Sequence, residues 1–416
     1  MLTRPQPNMT GRSRLGWKIL VVFTFLSLVC YVPAYPTEAP VKGYDSLRLL
    51  IETMYEISHK YVWQKGDVEM MEGAIRGMIN SLDPDSSFLT PQEYQDFLQG
   101  KKGQTAEAGV ELIFKDHLLT VASALEGGPG YRAGLRQGDH ILKINDQMVR
   151  NLTSQEAARR FQGPPNTAMK LQVLRNGVIK PLDLTITLEP LGSAGVSAQM
   201  LKDSVAYIRI PFFNDETFVQ LTSALKGLER QTPPLKGLIL DLRNNARGTL
   251  DQGVRNASAW LGDKQIVSTK GRTPEVNQSY QGKAQDLVFK SPHPMVVLMD
   301  QGTGRAAEIV AGALKDQWGA TLLGDKSLGL CGLTRVVPLH DGSALVMTVA
   351  QCYTPKGQKI QGKGLEPDVQ GKKASVTSPA KEPPKTLAPD QDPWVNQALE
   401  AIKSGKSPKL AVKGQS

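Results

Sequence analysis

The chain has 416 residues, 40% hydrophobic and 21% charged, an ordinary globular composition with room for two or three domains. Its net charge of +9 is uneven: Arg4, Arg12, Arg14 and Lys18 give residues 1–18 a charge of +4, and eight lysines against four acids give 371–416 another +4. The +1 left over 19–370 argues against a nucleic-acid-binding face, and three cysteines exclude a disulfide-framework scaffold. His59, His117, His140, His293 and His340 are scattered without metal-ligand spacing, so no metal or other cofactor is expected.

The first element is a targeting segment. Basic residues precede an apolar run, 19–32, that is short for a membrane span and suits the core of a signal peptide. Val32 and Ala34 fit the small-residue positions ahead of a cleavage site, which assigns 1–34 to a signal peptide. An uncleaved membrane anchor is the alternative, since Tyr31 and Tyr35 flank the junction. Either way the bulk of the chain is exported, to the periplasm or the periplasmic face of the inner membrane. Membrane contact is expected only through an uncleaved N-terminal segment.

Residues 44–100 read as helical. Leu47, Leu50, Ile51, Met54, Ile57 and Tyr61 recur at helical spacing behind Asp45 or Ser46 as cap, then Val68, Met71, Ala74, Ile75, Met78 and Ile79 do the same. Both stripes are expected to be packing surfaces. The second stops at Leu82-Asp83-Pro84-Asp85-Ser86-Ser87-Phe88-Leu89, where Pro84 and the Asp/Ser cluster force a turn. In 104–190, a short helix (154–161) and two strands (169–174 and 182–188) follow a glycine-rich stretch. From 191 to 370 strands (205–210, 237–242, 295–299, 321–324) alternate with helices (216–228, 251–261, 306–317), an α/β pattern. A Pro- and Lys-rich linker covers 371–391, Asp392-Pro393 starts a helix over 392–404, and 405–416 is a basic tail. A two-residue turn at Asp341-Gly342 would bring Cys331 opposite Cys352 at a non-hydrogen-bonded position, within disulfide range.

Several of these stretches resemble known families. Ala133-Gly134-Leu135-Arg136-Gln137-Gly138-Asp139-His140-Ile141-Leu142-Lys143-Ile144-Asn145 is similar to the AGL-x-x-GD-x-I-L-x-I-N pattern of PDZ domains. Gly302-Thr303-Gly304-Arg305-Ala306-Ala307-Glu308-Ile309-Val310-Ala311-Gly312-Ala313-Leu314-Lys315-Asp316 resembles the nucleophile segment of the carboxyl-terminal processing (tail-specific) serine peptidases, approximately GSASASEIVAGALKD. Gly237-Leu238-Ile239-Leu240-Asp241-Leu242-Arg243-Asn244-Asn245, Tyr353-Thr354-Pro355-Lys356-Gly357 and Gly364-Leu365-Glu366-Pro367-Asp368 are similar to that family's KGLILDLRNNPGG, YTPSG and GIxPD. Residues 82–89 are similar to its LDPHSSYL, with Asp85 in place of His. The resemblance spans 44–370. It implies a multidomain α/β fold: an N-terminal helical region, a PDZ-like β domain, a ClpP/crotonase-like α/β peptidase core and a short C-terminal helix.

The resemblance also implies a serine nucleophile, a lysine base and a glutamine, and here those places hold Arg305, Leu330 and Thr334. A guanidinium cannot be deprotonated in a protein and offers no nucleophilic lone pair, and losing residues that act as a unit costs turnover on the order of a millionfold. The implied oxyanion donors are Ala306 and the loop Ala246-Arg247-Gly248, in which Arg247 takes a place that calls for glycine's backbone freedom. Thr303, Lys326 and Cys331 are the other candidates for chemistry, but none carries the expected spacing. Glu308 and Asp316 read as structural supports of the nucleophile helix. Peptide capture is implied for Ala108, Gly109, Val110, Glu111 and Leu112, with Glu107 beside the anion position; the alternative is a PDZ fold used as a lid or spacer. Arg247 and Arg305 either converge as a carboxylate site or point outward. The expectation is a catalytically degenerate homologue that binds peptide or protein C-termini, an active relative or a second copy of itself. The alternative is an active serine-type endopeptidase in periplasmic proteolysis.

Overall fold

The computed structural model describes residues 42–404 apart from 84, 100–105, 116–117, 150–151, 153, 193–194, 231–233, 290–292 and 373–386. The expected signal segment 1–34, Pro84, most of the linker 371–391 and the tail 405–416 lie outside the described residues. The chain divides into two units, 1–71 and 72–416. In the first, helix α1 (Lys42–Lys60) forms as its spacing requires, yet Leu47, Ile51 and Ile57 are exposed. Helix α2 (Asp67–Asn80) buries Ile79 and leaves Val68, Met71 and Met78 exposed. Leu50, Met54, Ala74 and Ile75 of the same stripes are half-buried; periodicity specifies an apolar face and not what covers it. Among the described residues no helix is long and apolar enough to cross a membrane.

After α2 the Asp83 carboxylate accepts the N–H groups of Asp85 and Ser86 and the Ser86 hydroxyl, each at 2.9 Å, closing a tight turn. Strand β1 (Ser87–Leu89) follows. Helix α3 (Pro91–Gln99) begins on a reciprocal cap: the Glu93 N–H donates to Thr90 Oγ1 (3.3 Å) and the Thr90 N–H to Glu93 Oε2 (2.9 Å).

The next domain runs through β2 (Ala106–Glu107), β3 (Val110–Lys115), β4 (Leu118–Ala124), α4 (Pro129–Arg132), β5 (His140–Ile144), β6 (Gln147–Met148), α5 (Ser154–Arg160), β7 (Gln162–Gly163), β8 (Ala168–Leu174) and β9 (Leu182–Thr187). Its sheet has the antiparallel order β3-β4-β5-β8-β9. Strand β9 alternates buried Leu182, Leu184 and Ile186 with exposed polar neighbours, the period-two signature that marked it in the sequence. The turn before β5 is fixed by a buried fork, Arg175 donating to both carboxylate oxygens of Asp139 at 2.7 and 2.8 Å.

The core domain contains β10 (Ser197–Met200), β11 (Val205–Arg209), α6 (Thr217–Glu229), β12 (Gly237–Asp241), α7 (Leu250–Leu261), β13 (Gln265–Gly271), β14 (Gln278–Gln281), β15 (Met295–Met299), α8 (Ala306–Ala313), β16 (Thr321–Gly324), β17 (Gly332–Pro338), β18 (Ala344–Tyr353), β19 (Val369–Gln370) and α9 (Pro393–Lys403). The central sheet, β10-β11-β12-β15-β16-β19, is parallel except for β10. Its middle strands are unbroken apolar runs because both faces are covered. Leu238, Leu240, Val297 and Met299 pack with residues of α6, α7 and α8, while Ile239, Val296 and Leu298 pack with Val395, Ala398 and Ile402 of α9. Asp392 caps α9, accepting the Trp394 N–H at 2.8 Å, and takes the Arg243 guanidinium at 2.8 Å. Buried Asp241, at the end of β12, receives Arg243 (2.6 Å), Arg209 (3.1 Å) and the Tyr207 hydroxyl (2.7 Å). Residues 371–372, read from sequence as linker, belong to this core: the Gly371 N–H donates to Gly324 O at 2.9 Å and that of Lys372 to Gln397 at 3.1 Å.

A second sheet, β1-β18-β13-β14, carries β17 beside β18. The β17–β18 turn is not the expected two-residue one. Leu339 N–H donates to Ser343 O, so three residues form the loop and Pro338 pairs with Ala344. A bulge between Leu333 and Thr334 then restores the register, and the Cys352 N–H donates to Cys331 O at 3.0 Å. The cysteines are opposed as expected, but at a hydrogen-bonded position, and both are buried free thiols rather than a disulfide. Burial, and then the hydrogen bond with the Cys352 thiol, pushes the Cys331 pKa up.

Candidate active site

Beyond β15 the chain turns through 300–304 into α8, and a web of short bonds sets its path. The Asp300 carboxylate accepts the N–H groups of Asn244 (2.8 Å) and Gly302 (3.0 Å), and the Thr303 hydroxyl donates to Leu242 O (2.9 Å). Gly304 N–H donates to Asn245 O (2.8 Å) and Arg305 N–H to Leu330 O (2.9 Å). These contacts impose φ 51° and ψ −121° on Arg305, a corner that a non-glycine residue adopts only when its surroundings over-determine it.

Ala306 opens α8, where the first N–H groups have no intrahelical acceptor. Gly248 lies against it with φ 121°, and a Cβ there would stand 2.8 Å from the Ala306 Cβ. Two backbone segments therefore meet beside the corner. The residue that needs glycine's freedom is Gly248, which has it; Arg247 has no positive φ. The Arg247 guanidinium points instead to the PDZ-like domain, with Nε 2.7 Å from Glu111 and Nη2 2.7 Å from Glu107. Burial opposes its charge, and the two carboxylates more than offset this and raise its pKa. The Arg247 side chain is thus committed to Glu107 and Glu111 and does not converge with Arg305 as a carboxylate site.

Leu330 is buried and lines a cleft of about 530 Å³ together with Asp85, Phe114, Gln137 and Gln361. Thr334 does not join it, being exposed on β17 opposite Thr348. The nearest carboxylate to the Arg305 guanidinium is Asp85, Nη2 to Oδ1 3.6 Å. Burial raises the Asp85 pKa, and Arg305 and the Gln361 side chain act in the opposite sense. The two positions that depart most plainly from the resembled motifs, 85 and 305, therefore meet in space. Their pairing was not read from the sequence; the opposite charges at these two departures are the signal that could have shown it.

The other candidates for chemistry are engaged elsewhere. Thr303 holds the corner, and exposed Lys326 pairs with Glu366 at 2.6 Å. Asp316 accepts the Lys356 N–H at 2.8 Å, tying the end of α8 to the 353–357 loop. Glu308 holds the cleft wall: its Oε1 accepts Ser327 Oγ (2.5 Å) and the Gly329 N–H (2.6 Å), its Oε2 the Leu330 N–H (2.9 Å). Burial outweighs these bonds and pushes its pKa up to about 7. A carboxyl raised from 4.5 to about 7 on folding contributes stability that is full below the unfolded value and lost as pH rises through the folded one. The unfolding free energy is expected to fall by roughly 3 kcal/mol from this group across that window. Glu308→Gln should flatten the profile, read by urea titrations at successive pH values; an unchanged slope in the variant counts against the assignment.

In the segment expected to take a peptide, Ala108, Val110 and Leu112 are buried in the domain core. The N–H groups of Glu107 and Ala108 already donate to Glu189 O (2.9 Å) and Phe161 O (3.0 Å), and Gly109 O accepts the Leu125 N–H (2.8 Å). Glu111 holds Arg247, so the expected cradle of successive N–H groups is partly engaged. The outer edge of β3 pairs with no described strand, and α5 packs beside it. This domain is fastened to the core by Asn244, whose Oδ1 accepts the Ala124 N–H (3.1 Å) and whose Nδ2 donates to Ala124 O (2.5 Å). Among the described residues no group of three His, Cys, Asp or Glu side chains is placed to hold a metal ion.

Comparison with known proteins places this geometry. The family model described as Peptidase family S41 matches residues 204–370, and that described as PDZ domain matches 120–175. A carboxy-terminal-processing protease of Bartonella bacilliformis is 34% identical over 350 residues, covering 84% of this chain and 80% of that one. A carboxyl-terminal-processing protease of Synechocystis is 34% identical over 319 residues, covering 74% and 73%. The solved structure of a photosystem II D1 C-terminal processing protease superimposes with a TM-score of 0.65 at 25% identity, over 78% of this chain and 92% of that one.

Proposed function

The chain belongs to peptidase family S41, the carboxyl-terminal processing peptidases, and from that premise we propose that it binds peptide or protein C-termini without cutting them efficiently. The observation that carries this reading is Arg305 on the strained corner before α8, beside Ala306 and Gly248. A guanidinium there has no electron pair to attack a carbonyl, and Leu330 has no amine to draw off a proton. The frame for holding a peptide remains: an open β3 edge and a cleft whose lining includes Asp85 and Leu330, both adjoining Arg305. The basic and apolar leader 1–34 supports export to the periplasm or the periplasmic face of the inner membrane. Partners of this class are unstructured chain ends, an active peptidase relative or a second copy of the chain, and not nucleic acid.

The relatives are named as proteases, and the retained Ala306–Gly248 pair favours a second reading, an active serine-type endopeptidase using an unrecognised nucleophile. Incubating the purified protein with an unstructured, apolar-tailed peptide separates the two. Saturable binding by fluorescence anisotropy with no new products in the mass spectrum is the expected result. Products formed by the unmodified chain would establish the second reading instead.

A further inference from the structure

Resting on the peptide-binding reading, we infer that Arg305 is the receptor for a carboxylate carried by the bound peptide, so that the cleft selects acidic chain ends. Arg159, Arg175, Arg209, Arg243 and Arg247 each have a carboxylate oxygen within 2.9 Å. Arg305 differs. Its nearest carboxylate oxygen lies at 3.6 Å, beyond hydrogen-bonding reach, and its guanidinium bonds to no side chain among the described residues. Five N–H donors on a planar fork thus stand open on a side chain that is 37% exposed. A partly withdrawn guanidinium of this kind gains more from a bidentate carboxylate than one in open water does.

The surroundings favour an acid from outside over Asp85. Asp85 sits too far for a hydrogen bond to the guanidinium. Among the residues lining the cleft it is the sole acid, against Lys115, Lys363 and Lys326, the last already paired with Glu366. The corner at 305 is also fixed before any ligand arrives, its N–H held by Leu330 O, so little ordering accompanies binding. The carboxylate has two sources, the free chain end or a glutamate or aspartate side chain near it, and both present the same fork of oxygens.

Three labelled decapeptides of one apolar sequence decide the matter by anisotropy at low ionic strength: free acid, C-terminal amide, and an amide with Glu next to last. The free acid is expected to bind about tenfold more tightly than the amide, and Arg305→Ala to erase that difference while Arg305→Lys keeps part of it. If the Glu-bearing amide matches the free acid, a side-chain carboxylate suffices; if it matches the plain amide, the chain end itself is read. Asp85→Asn, which removes the competing carboxylate, is expected to widen the difference, and it decides the matter should Arg305→Ala fail to fold. Equal affinity for free acid and amide overturns the inference and leaves peptide binding standing, as does a difference that survives in Arg305→Ala or fails to widen in Asp85→Asn. No saturable binding of any of the three overturns the peptide-binding reading, and this inference with it.

Discussion

Changing Arg305 to Ser and Leu330 to Lys in one chain is expected to raise peptide-bond cleavage on the order of a thousandfold above the unmodified protein. The reason is that the costly parts of the site are already in place. The corner at 305 would present a hydroxyl where the guanidinium now sits, and Ala306 and Gly248 already flank it. Leu330 lines the cleft and is buried, so a lysine amine there would be desolvated and driven toward its neutral, proton-accepting form. Asp85 works against this, because a carboxylate lining the same cleft favours the charged amine. Adding Asp85→His should therefore raise turnover further. Product formation from an unstructured peptide, followed by mass spectrometry, gives the rates. A stably folded double variant that yields no products would show that the frame beside α8 is no longer competent to hold a tetrahedral intermediate.

Asp241→Ala is expected to remove about 3–5 kcal/mol of stability. The carboxylate is fully buried and satisfies two guanidinium groups and a phenol at once. Its deletion leaves Arg209 with Glu126 alone and Arg243 with Asp392 alone, each with buried N–H donors unpaired, and truncating one member of such a cluster costs more than the cluster contributes as a whole. Burial alone would raise the Asp241 pKa, yet the arginines depress it below the ordinary carboxylate range. Its contribution is therefore present above ~3.9 and lost as pH falls through the folded value, opposite in sign to that of Glu308. Chemical denaturation at neutral pH gives the loss; a difference below about 1 kcal/mol would mean that the charges rearrange around the gap.

Most of the core was legible in the sequence because its strands are buried on both faces. Runs such as 237–242 and 295–299 admit few other readings, and Asp392-Pro393 announced the cap of the last helix. The turn at 341–342 misled by one residue, and the bulge at Leu333/Thr334 corrected the offset, so the cysteines still met though the route to them was wrong. A bulge leaves no mark in a hydrophobic pattern, since it changes pairing and not composition. Arg305 and Leu330 were placed by motif, and the structure brings them together across one hydrogen bond. Arg247 could not be read so. Its partners, Glu107 and Glu111, are far away in the chain, and only the docked domains show that the charge is already answered. The apolar stripes of α1 and α2 are a further case: spacing produced the helices and said nothing of their neighbours.

Helix α9 has one more consequence, in the order of events at the ribosome. Val395, Ala398 and Ile402 cover Ile239, Val296 and Leu298, which are synthesised long before them. At about 5–20 residues per second, β12 and β15 wait on the order of ten seconds for their lid. Through that interval the growing chain carries a bare, sticky sheet face, and the core cannot close vectorially from its N-terminal end. Closure of that face therefore waits for α9, and any nascent-chain escort must hold on until that helix has emerged.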